Sequence, residues 1–177
     1  MNTNIRIIRV VDYDPRWPEL FKAERNLLLK TLGDLIVRIH HIGSTAVPGL
    51  AAKPTIDILP EVTDVNELDG YNAAMEELGY TPMGEYGIPG RRYFHKGYPD
   101  RTYHLHAFNA GDPAAIRHIA FRDYLIAHPQ IAAEYAELKR RCARECDNDI
   151  EKYGALKNDF IKTHEKRALQ WMRRRNF

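Results

Sequence analysis

Hydrophobic side chains recur at helical spacing in two stretches of the first half of the chain. Over residues 17–32 the apolar positions follow a period of three to four residues, and Gly33 comes directly after the last of them. Asp14 and Pro15 stand before this stretch, a pair that is typical of a helix N-terminus. A similar period covers residues 64–78. The pattern therefore predicts two amphipathic helices, the first opened by Asp14 and ended by Gly33.

Apolar and β-branched runs of strand length lie between and beyond these helical stretches. Residues 35–42 and 55–59 are rich in isoleucine and leucine, and the second run could extend to Val62. Residues 91–96 and 102–109 form two further runs, which are joined by a short segment of turn residues. The pattern predicts four strands, and the last two are expected to pair antiparallel.

The remaining segments predict an arm, a loop and a helical C-terminal part. Residues 5–11 are expected to form a short strand or an extended arm, and the glycine- and proline-rich residues 80–90 a mobile loop. Three helices are predicted beyond this point, starting at Asp112-Pro113, restarting at Pro129, and covering about 149–176. We therefore expect an α+β fold, with a mixed β-sheet, flanking helices and a C-terminal helical subdomain over about 112–177.

Composition narrows the class of protein. The chain has 177 residues, of which 44% are hydrophobic and 28% charged, as is ordinary for one globular domain. A net charge of +2 argues neither for nor against nucleic-acid binding, but the basic cluster at the end of the last predicted helix has no interleaved aromatics, so we regard this role as unlikely. No apolar run reaches the roughly 20 residues that span a bilayer, and the first residues lack a secretory pattern. We therefore expect a cytoplasmic protein without a membrane partner.

The stretch between the first two strands carries the main candidate chemistry. Gly43, Ser44 and Thr45 follow directly on a strand, where a tight turn exposes backbone N–H groups and hydroxyls that suit a phosphate. Lys53 lies further along. Asp57 falls in the middle of the next strand, where a carboxylate is costly to bury unless a cation or hydrogen-bond donors face it. The residues predict a phosphate-binding turn opposite a metal-binding aspartate; the alternative is an ordinary turn beside a hydrogen-bonded aspartate.

This arrangement resembles a known superfamily. A Gly-Ser turn, a spacer and an aspartate on the following strand are similar to the nucleotidyltransferase superfamily, which has the polymerase-β-like fold. Residues 41–59 as a whole resemble the GrpB family within it. Further segments similar to that family are 91–94, 104–106, 121–125, Tyr135 and Leu138-Lys139. The resemblance covers nearly the whole chain and implies a nucleotidyltransferase-like topology in a single domain over residues 1–177.

The resemblance also bears on metal binding. In the superfamily, two carboxylates two positions apart on one strand and a third from a neighbouring strand hold metal ions. Asp57 matches the first, but Leu59 stands at the second position, which departs from that pattern. His104 and His106 project from one face of a predicted strand and would stand near Asp57 if the strands were neighbours. They could be ligands of Mn²⁺, Fe²⁺ or Zn²⁺, with His106 as the first choice of metal ligand. Alternatively, one of them could act as a general base, or they could only hydrogen-bond to Asp57.

Basic residues supply candidates for binding a triphosphate or another acidic group, although any one of them could be an ordinary solvated charge. Arg91 and Arg92 are consecutive on a predicted strand, so their side chains point to opposite faces and only one can face the cleft. The family pattern favours Arg92. The nucleotide- or phosphate-binding set is therefore Gly43, Ser44, Thr45, Lys53, Arg92, Arg122 and Lys139.

The residues and the resemblance together predict a nucleotidyltransferase-like protein. It would bind a nucleoside triphosphate with a divalent cation, Mg²⁺ or Mn²⁺, and could transfer a nucleotidyl group to a small-molecule acceptor. The alternatives are a non-catalytic module that binds a nucleotide or anionic metabolite beside a degenerate metal site, and a metal-dependent phosphohydrolase that uses the histidine pair. A further carboxylate in the cleft, from Glu61 or Glu85, would favour catalysis, whereas Asp57 alone would favour the binding module.

Overall fold

Helices and strands alternate through the first two thirds of the chain, and helices alone make up the last third. A computed structural model describes residues 7–175. Its strands are β1 (Ile36–Ile42), β2 (Ile56–Val62), β3 (Tyr80–Pro82), β4 (Arg92–Lys96) and β5 (Tyr103–Asn109). Its α-helices are α1 (Trp17–Leu32), α2 (Asn72–Glu77), α3 (Pro113–Ala127), α4 (Pro129–Glu145) and α5 (Ile150–Arg175).

The strands form a mixed sheet in the order β1-β2-β5-β4-β3. β1 and β2 are antiparallel neighbours, whereas β2 and β5 run parallel. β4 pairs antiparallel with β5, as predicted, and β3 pairs antiparallel with β4. The register places Asp57 opposite Ile42 on one side and opposite His104 on the other. The sheet and its helices confirm the α+β class with a mixed sheet.

The two faces of the sheet are covered by different helices, because side chains alternate along each strand. Ile58 of β2 points to the first face, where it packs in a core that includes Leu28 of α1. Leu59 points to the second face, where it packs with Ala115 of α3. Asp57 shares this second face, since it lies two residues from Leu59. The carboxylate therefore faces the helical part of the chain.

The C-terminal helices pack on this second face. Asp112 accepts a hydrogen bond from the Ala114 N–H at 2.7 Å, and Pro113 takes the first helical position, so α3 begins where predicted. α5 packs against both α3 and α4. A second apolar cluster joins Leu50, in the loop between β1 and β2, to Leu125 of α3. The loop that carries the Gly-Ser turn is thus held between the sheet and the helices.

Two predicted segments differ from the structure. Residues 80–82, predicted as part of a loop, form the edge strand β3, because Tyr80 buries its ring in the first core and pairs with Lys96 of β4. The predicted helix over 64–78 begins as a 3₁₀ segment at Val65–Tyr71, and only Asn72–Glu77 is α-helical. The rest of the predicted loop, which holds all of its glycines, remains irregular.

The N-terminal prediction holds in part. α1 begins at Trp17, two residues later than predicted, because Asp14 accepts the Trp17 N–H with its carbonyl in a preceding turn. Of the predicted arm, Val11 forms an isolated antiparallel bridge with Ala52, and residues 5 and 6 lie outside the described residues.

Membrane insertion finds no support among the described helices. The longest, α5, has 26 residues, but charged side chains recur along all of it. None of the helices between residues 7 and 175 is long and apolar enough to cross a membrane. Cytoplasmic localisation and the single domain remain predictions.

Candidate functional site

One carboxylate and two imidazoles lie together where β2 and β5 are neighbours. The parallel register places His104 beside Asp57, and His106 follows on the same face. His104 Nδ1 and His106 Nε2 each lie 3.3 Å from Asp57 Oδ1. One potential ligand atom from each residue lies within 4.8 Å of the other two. The structure thus brings together the three residues that were predicted as catalytic.

The electrostatics of this cluster keep Asp57 ionised. Burial by itself would raise the pKa of Asp57, but the imidazoles of His104 and His106 outweigh burial and hold the pKa far below its ordinary value. The Asp57 side chain is still 27% exposed. The carboxylate therefore keeps its negative charge at neutral pH while remaining open to a ligand.

The Gly-Ser turn lies directly against this carboxylate. Gly43 has φ +71°, and a Cβ atom at this position would come 2.6 Å from Asp57 Oδ2. Only glycine fits so close an approach. The next residue, Ser44, influences Tyr135 of α4: burial raises the pKa of Tyr135, and the Ser44 side chain acts in the opposite direction. The turn therefore connects the carboxylate of β2 with the helical part of the chain.

Thr45, predicted as a phosphate ligand, is directed inward. It is 1% exposed, and its hydroxyl lies 2.9 Å from His41 Nε2 and 3.4 Å from the Thr55 carbonyl oxygen. His41 stacks on Phe21 of α1, and burial lowers the pKa of His41 to about 4, so its imidazole is neutral. Thr45 fixes the shape of the turn, and the structure does not bring its hydroxyl to an open surface.

Among the described residues, no second carboxylate joins Asp57 in the cluster. Leu59 is fully buried in the core beneath α3. Glu61, at the far end of β2, is bound by Arg38 and His40 of β1 at 3.0 and 2.8 Å. Glu85 accepts a backbone N–H of its own loop at 2.9 Å. Within residues 7–175, the carboxylates proposed as partners of the aspartate are thus engaged elsewhere.

The cluster fits a divalent ion in part. Two of its three donors are imidazole nitrogens, which suit Mn²⁺, Fe²⁺ or Zn²⁺ better than Mg²⁺. His104 directs Nδ1 at Asp57, and its buried Nε2 has no hydrogen-bond partner among the described residues. His106 differs, because Arg91 Nη1 lies 3.4 Å from its Nδ1. Arginine only donates, so the His106 proton is assigned to Nε2, facing Asp57. Asp57 can hold an ion as it stands, whereas each histidine can join only when the ring nitrogen that faces Asp57 gives up its proton, which for His106 also requires Arg91 to move.

Arg91, rather than Arg92, lies at the site. Arg91 is 6% exposed and packs over Tyr93, with its guanidinium carbon 5.0 Å from the ring centre. It donates to the Glu85 and Tyr86 carbonyls at 3.2 and 2.7 Å.

Arg92 instead forms a salt bridge of 2.7 Å with Asp69 of the 3₁₀ segment. Arg92 lies on the strand face that carries Phe94 into the first core, so the structure does not bring it to Asp57.

The other predicted basic residues bind, or belong to, the chain segment that contains the Gly-Ser turn. Arg122 of α3 donates to the His41 carbonyl oxygen at 2.9 Å, which ties α3 to the end of β1. Lys139 of α4 is 2% exposed and donates to the Ala51 carbonyl oxygen at 2.5 Å. Lys53 belongs to the same loop as Ala51. Two helices thus bind the segment that contains the turn through basic side chains, and Lys53 is part of that segment.

The sequence interpretation missed two aromatic residues of the site. The Tyr93 ring lies 5.2 Å from that of His106, and the His118 ring of α3 lies 5.8 Å from it on another side. Burial lowers the pKa of His118 to about 3, so it is neutral. Both residues could have been found from the sequence. Tyr93 points to the strand face opposite that of Arg92, and His118 lies one helical turn before Arg122, on the same face of α3.

Comparisons with known proteins agree with the architecture. The family model described as "GrpB protein" matches residues 7–167. The UPF0157 protein YqkA of Bacillus subtilis is 46% identical over 171 residues; the match covers 97% of this chain but 50% of the relative, so the chain spans half of its length. The UPF0157 protein BH1888 of Halalkalibacterium halodurans is 38% identical, with 91% of this chain and 82% of the relative covered. A crystal structure of the conserved protein GrpB from Enterococcus faecalis superimposes with a TM-score of 0.89 at 42% identity, covering 93% of this chain and 99% of that one.

Proposed function

The chain belongs to the GrpB family, and we propose that it binds a phosphorylated small molecule together with a divalent cation and acts on the phosphate group. A nucleoside triphosphate is the first candidate for this ligand. The observation that carries the proposal is the cluster of Asp57, His104 and His106, with ligand atoms within 4.8 Å of one another.

The residues around the cluster have complementary roles in this proposal. Asp57 Oδ1 and His104 Nδ1 would hold the ion, which when bound supplies Lewis-acid polarisation of a phosphate oxygen. Because Gly43 has no side chain, the turn packs directly against the Asp57 carboxylate, and a phosphate bound at Asp57 would lie next to the backbone N–H groups of the turn. Arg91 contributes a positive charge next to His106, where it would stabilise negative charge on the phosphate.

Nucleotidyl transfer to a small-molecule acceptor is the reaction that the superfamily resemblance favours. Nucleotidyltransferase-like topology and the two-metal mechanism both remain predictions for this chain. The donor set supports Mn²⁺ ahead of Mg²⁺, because imidazole is a poor ligand for Mg²⁺.

A non-catalytic binding module is the second candidate. It is favoured by one observation, namely that Asp57 stands without another carboxylate among the described residues, since Leu59 is buried and Glu61 is bound to β1. In this case the ion and the phosphate would be bound but not turned over.

The proposal is tested by thermal unfolding in the presence of ATP, GTP, CTP or UTP with Mn²⁺ or Mg²⁺. A ligand present at ~100 times its Kd adds about 2.7 kcal/mol to the stability of the folded state, which gives a clear rise in Tm. We expect this rise with Mn²⁺ and its loss in Asp57→Asn, while Asp34→Asn, an exposed control, keeps it. No metal-dependent rise with any nucleotide would reject the nucleotide as the ligand.

Product analysis then separates the candidates. Release of pyrophosphate with a candidate acceptor indicates nucleotidyl transfer, and release of inorganic phosphate indicates hydrolysis. Metal-dependent binding without either product, in a preparation that loses binding on Asp57→Asn, would favour the non-catalytic module over the enzyme.

A further inference from the structure

A cavity of about 440 Å³ lies at the start of β2, where three separate segments of the chain meet. Its walls are the N-terminal arm, the last residues of the β1–β2 loop and the turn between β4 and β5, which contribute residues 7–9, 53–55 and 99–102. This volume is in the range of small-molecule sites. Folding thus assembles a concave surface from residues that are far apart in the sequence.

Hydrogen bonds hold the walls of this cavity in place. Ile8 is buried, and its N–H donates to Asn148 Oδ1 at 2.6 Å, which fixes the arm to the segment between α4 and α5. Thr55 is buried as well, and its hydroxyl donates to the Arg101 carbonyl oxygen at 2.9 Å. Each wall is therefore anchored within the chain, and the cavity is formed before any ligand binds.

Positive charge predominates in the cavity. Arg9, Lys53 and Arg101 line it, against a single acid, Asp100. Among residues 7–175, Arg9 and Arg101 form no salt bridge with a carboxylate. The excess of cationic groups favours an anionic ligand, and a guanidinium group matches the geometry of a phosphate or a carboxylate.

Apolar side chains supply the rest of the lining. Ile7 lines the cavity although it is 74% exposed, and it is joined by Ile8, Pro54 and Pro99. Covering an exposed isoleucine with an apolar group is favourable, because it removes apolar surface from water. The lining therefore suits a molecule that has an apolar part as well as an anionic group.

The cavity is distinct from the Asp57 cluster, although the two are neighbours along β2. None of the three residues of the cluster lines the cavity. Thr55 connects the two regions, since it lines the cavity and its carbonyl oxygen lies 3.4 Å from the hydroxyl of Thr45 in the Gly-Ser turn. A ligand in the cavity would thus lie beside the segment that holds the turn, without contact to the proposed ion.

We propose that this cavity binds a small molecule in which a phosphate or carboxylate group is joined to an apolar part. Arg9, Lys53 and Arg101 would bind the anionic group, and Ile7 and Ile8 would contact the apolar part. The inference goes beyond the proposed function and does not depend on it, because binding here requires neither a metal ion nor Asp57.

The test is a fluorescence titration of the full chain, in EDTA, with anilinonaphthalene sulfonate, an anionic dye with an apolar ring system. We expect the wild type to bind the dye, and Arg101→Gln to bind it about tenfold more weakly. Asp100→Asn should bind it more tightly, because the one acid of the cavity is removed. Arg174→Gln, an exposed position on α5, is the matched control and should bind like the wild type. Near-ultraviolet circular dichroism checks that each variant keeps its packed core.

Displacement of the dye identifies the chemistry of the ligand. Phenyl phosphate and benzoate share an apolar ring and differ in the anionic group, whereas inorganic phosphate has no ring and benzyl alcohol has no charge. We expect phenyl phosphate or benzoate to displace the dye at concentrations about tenfold lower than the other two, and the stronger of them identifies the anionic group. Equal displacement by benzyl alcohol or by inorganic phosphate would overturn the proposed ligand class.

Asp57→Asn separates this inference from the proposed function. The variant should bind the dye within about threefold of the wild type, since the two sites share no residue, although the Mn²⁺-dependent effect of nucleotides is lost. Dye binding that is absent in the wild type, or equal in Arg101→Gln and Asp100→Asn, would overturn the cavity as a binding site. Dye binding as expected, with no effect of Mn²⁺ and nucleotides, would overturn the proposed function and support the cavity site.

Discussion

At the scale of single residues, the contact between Gly43 and Asp57 decides how the site is shaped. Gly43 has φ +71° and ψ −172°, a backbone conformation that is essentially restricted to glycine. Its missing side chain leaves room for the Asp57 carboxylate, which would otherwise lie 2.6 Å from a Cβ atom. The turn and the carboxylate therefore depend on each other for their positions.

Gly43→Ala should lower the free energy of unfolding by about 2–4 kcal/mol, because backbone strain and the clash with Asp57 add together. Gly49→Ala is the matched control: Gly49 has φ +79°, but a Cβ atom there meets nothing within 4 Å. It should cost about 1 kcal/mol from backbone strain alone. Urea denaturation measures both values. Equal losses in the two variants would show that the approach to Asp57 is not tight.

At the scale of elements, Glu61 links three parts of the chain. It accepts from Arg38 and lies 2.8 Å from His40, both of β1, and it accepts the Gly111 N–H just before α3. Burial alone would raise the pKa of Glu61, but these partners outweigh it and lower the pKa to about 2. A residue considered as a second metal ligand thus stabilises the junction of β1, β2 and α3.

The lowered pKa fixes the sign of a pH effect. Stability contributed by Glu61 is present above its ordinary pKa of 4.5 and is lost as the pH falls toward about 2. Glu61→Gln should therefore be less stable than the wild type by about 3 kcal/mol at neutral pH, and the difference should shrink below about pH 4. Urea denaturation over this pH range measures it, with Glu76→Gln, an exposed position in α2, as control. A difference that stays constant with pH would contradict the assigned role.

At the scale of the whole molecule, the helical part is fastened to the sheet by buried polar contacts as well as apolar packing. Arg122 of α3 donates to the His41 carbonyl, and Lys139 of α4 donates to the Ala51 carbonyl. His41 stands two residues before Gly43, and Ala51 lies later in the loop that the turn begins. The candidate site therefore depends on the docking of the helices onto the sheet, and we expect the two parts to unfold together.

The two tryptophans report on this coupling. Trp17 is buried in the core of the sheet, and Trp171 belongs to α5, where its ring lies 6.0 Å from that of Tyr124. In Trp17→Phe and in Trp171→Phe, the fluorescence of the remaining tryptophan should change at the same urea concentration as the circular dichroism of that variant. A separate, earlier transition at Trp171 would show that the helices form an independent unit and would contradict the single predicted domain.

The sequence by itself determined the local features of the molecule. Helix starts such as Asp112-Pro113 and strand periodicity depend on residues a few positions apart, so they can be recognised without knowing the fold. The same period of two put His104 and His106 on one face, and the cost of burying Asp57 marked it as a site residue. The α+β class and the antiparallel β4–β5 pair follow from such local rules, whereas the Asp57 cluster also required β2 and β5 to be neighbours in the sheet.

Only the tertiary structure decided which side chains share the site. Phe94 is buried in the first core, so Arg92, on the same strand face, points away from the cleft. Glu61 is bound by Arg38 and His40 of β1 and does not reach Asp57. Each outcome depends on strand register or helix docking, which are set by contacts between residues far apart in the chain. Local spacing carries no record of those contacts, since the same short pattern can face a core, a neighbouring strand or a ligand.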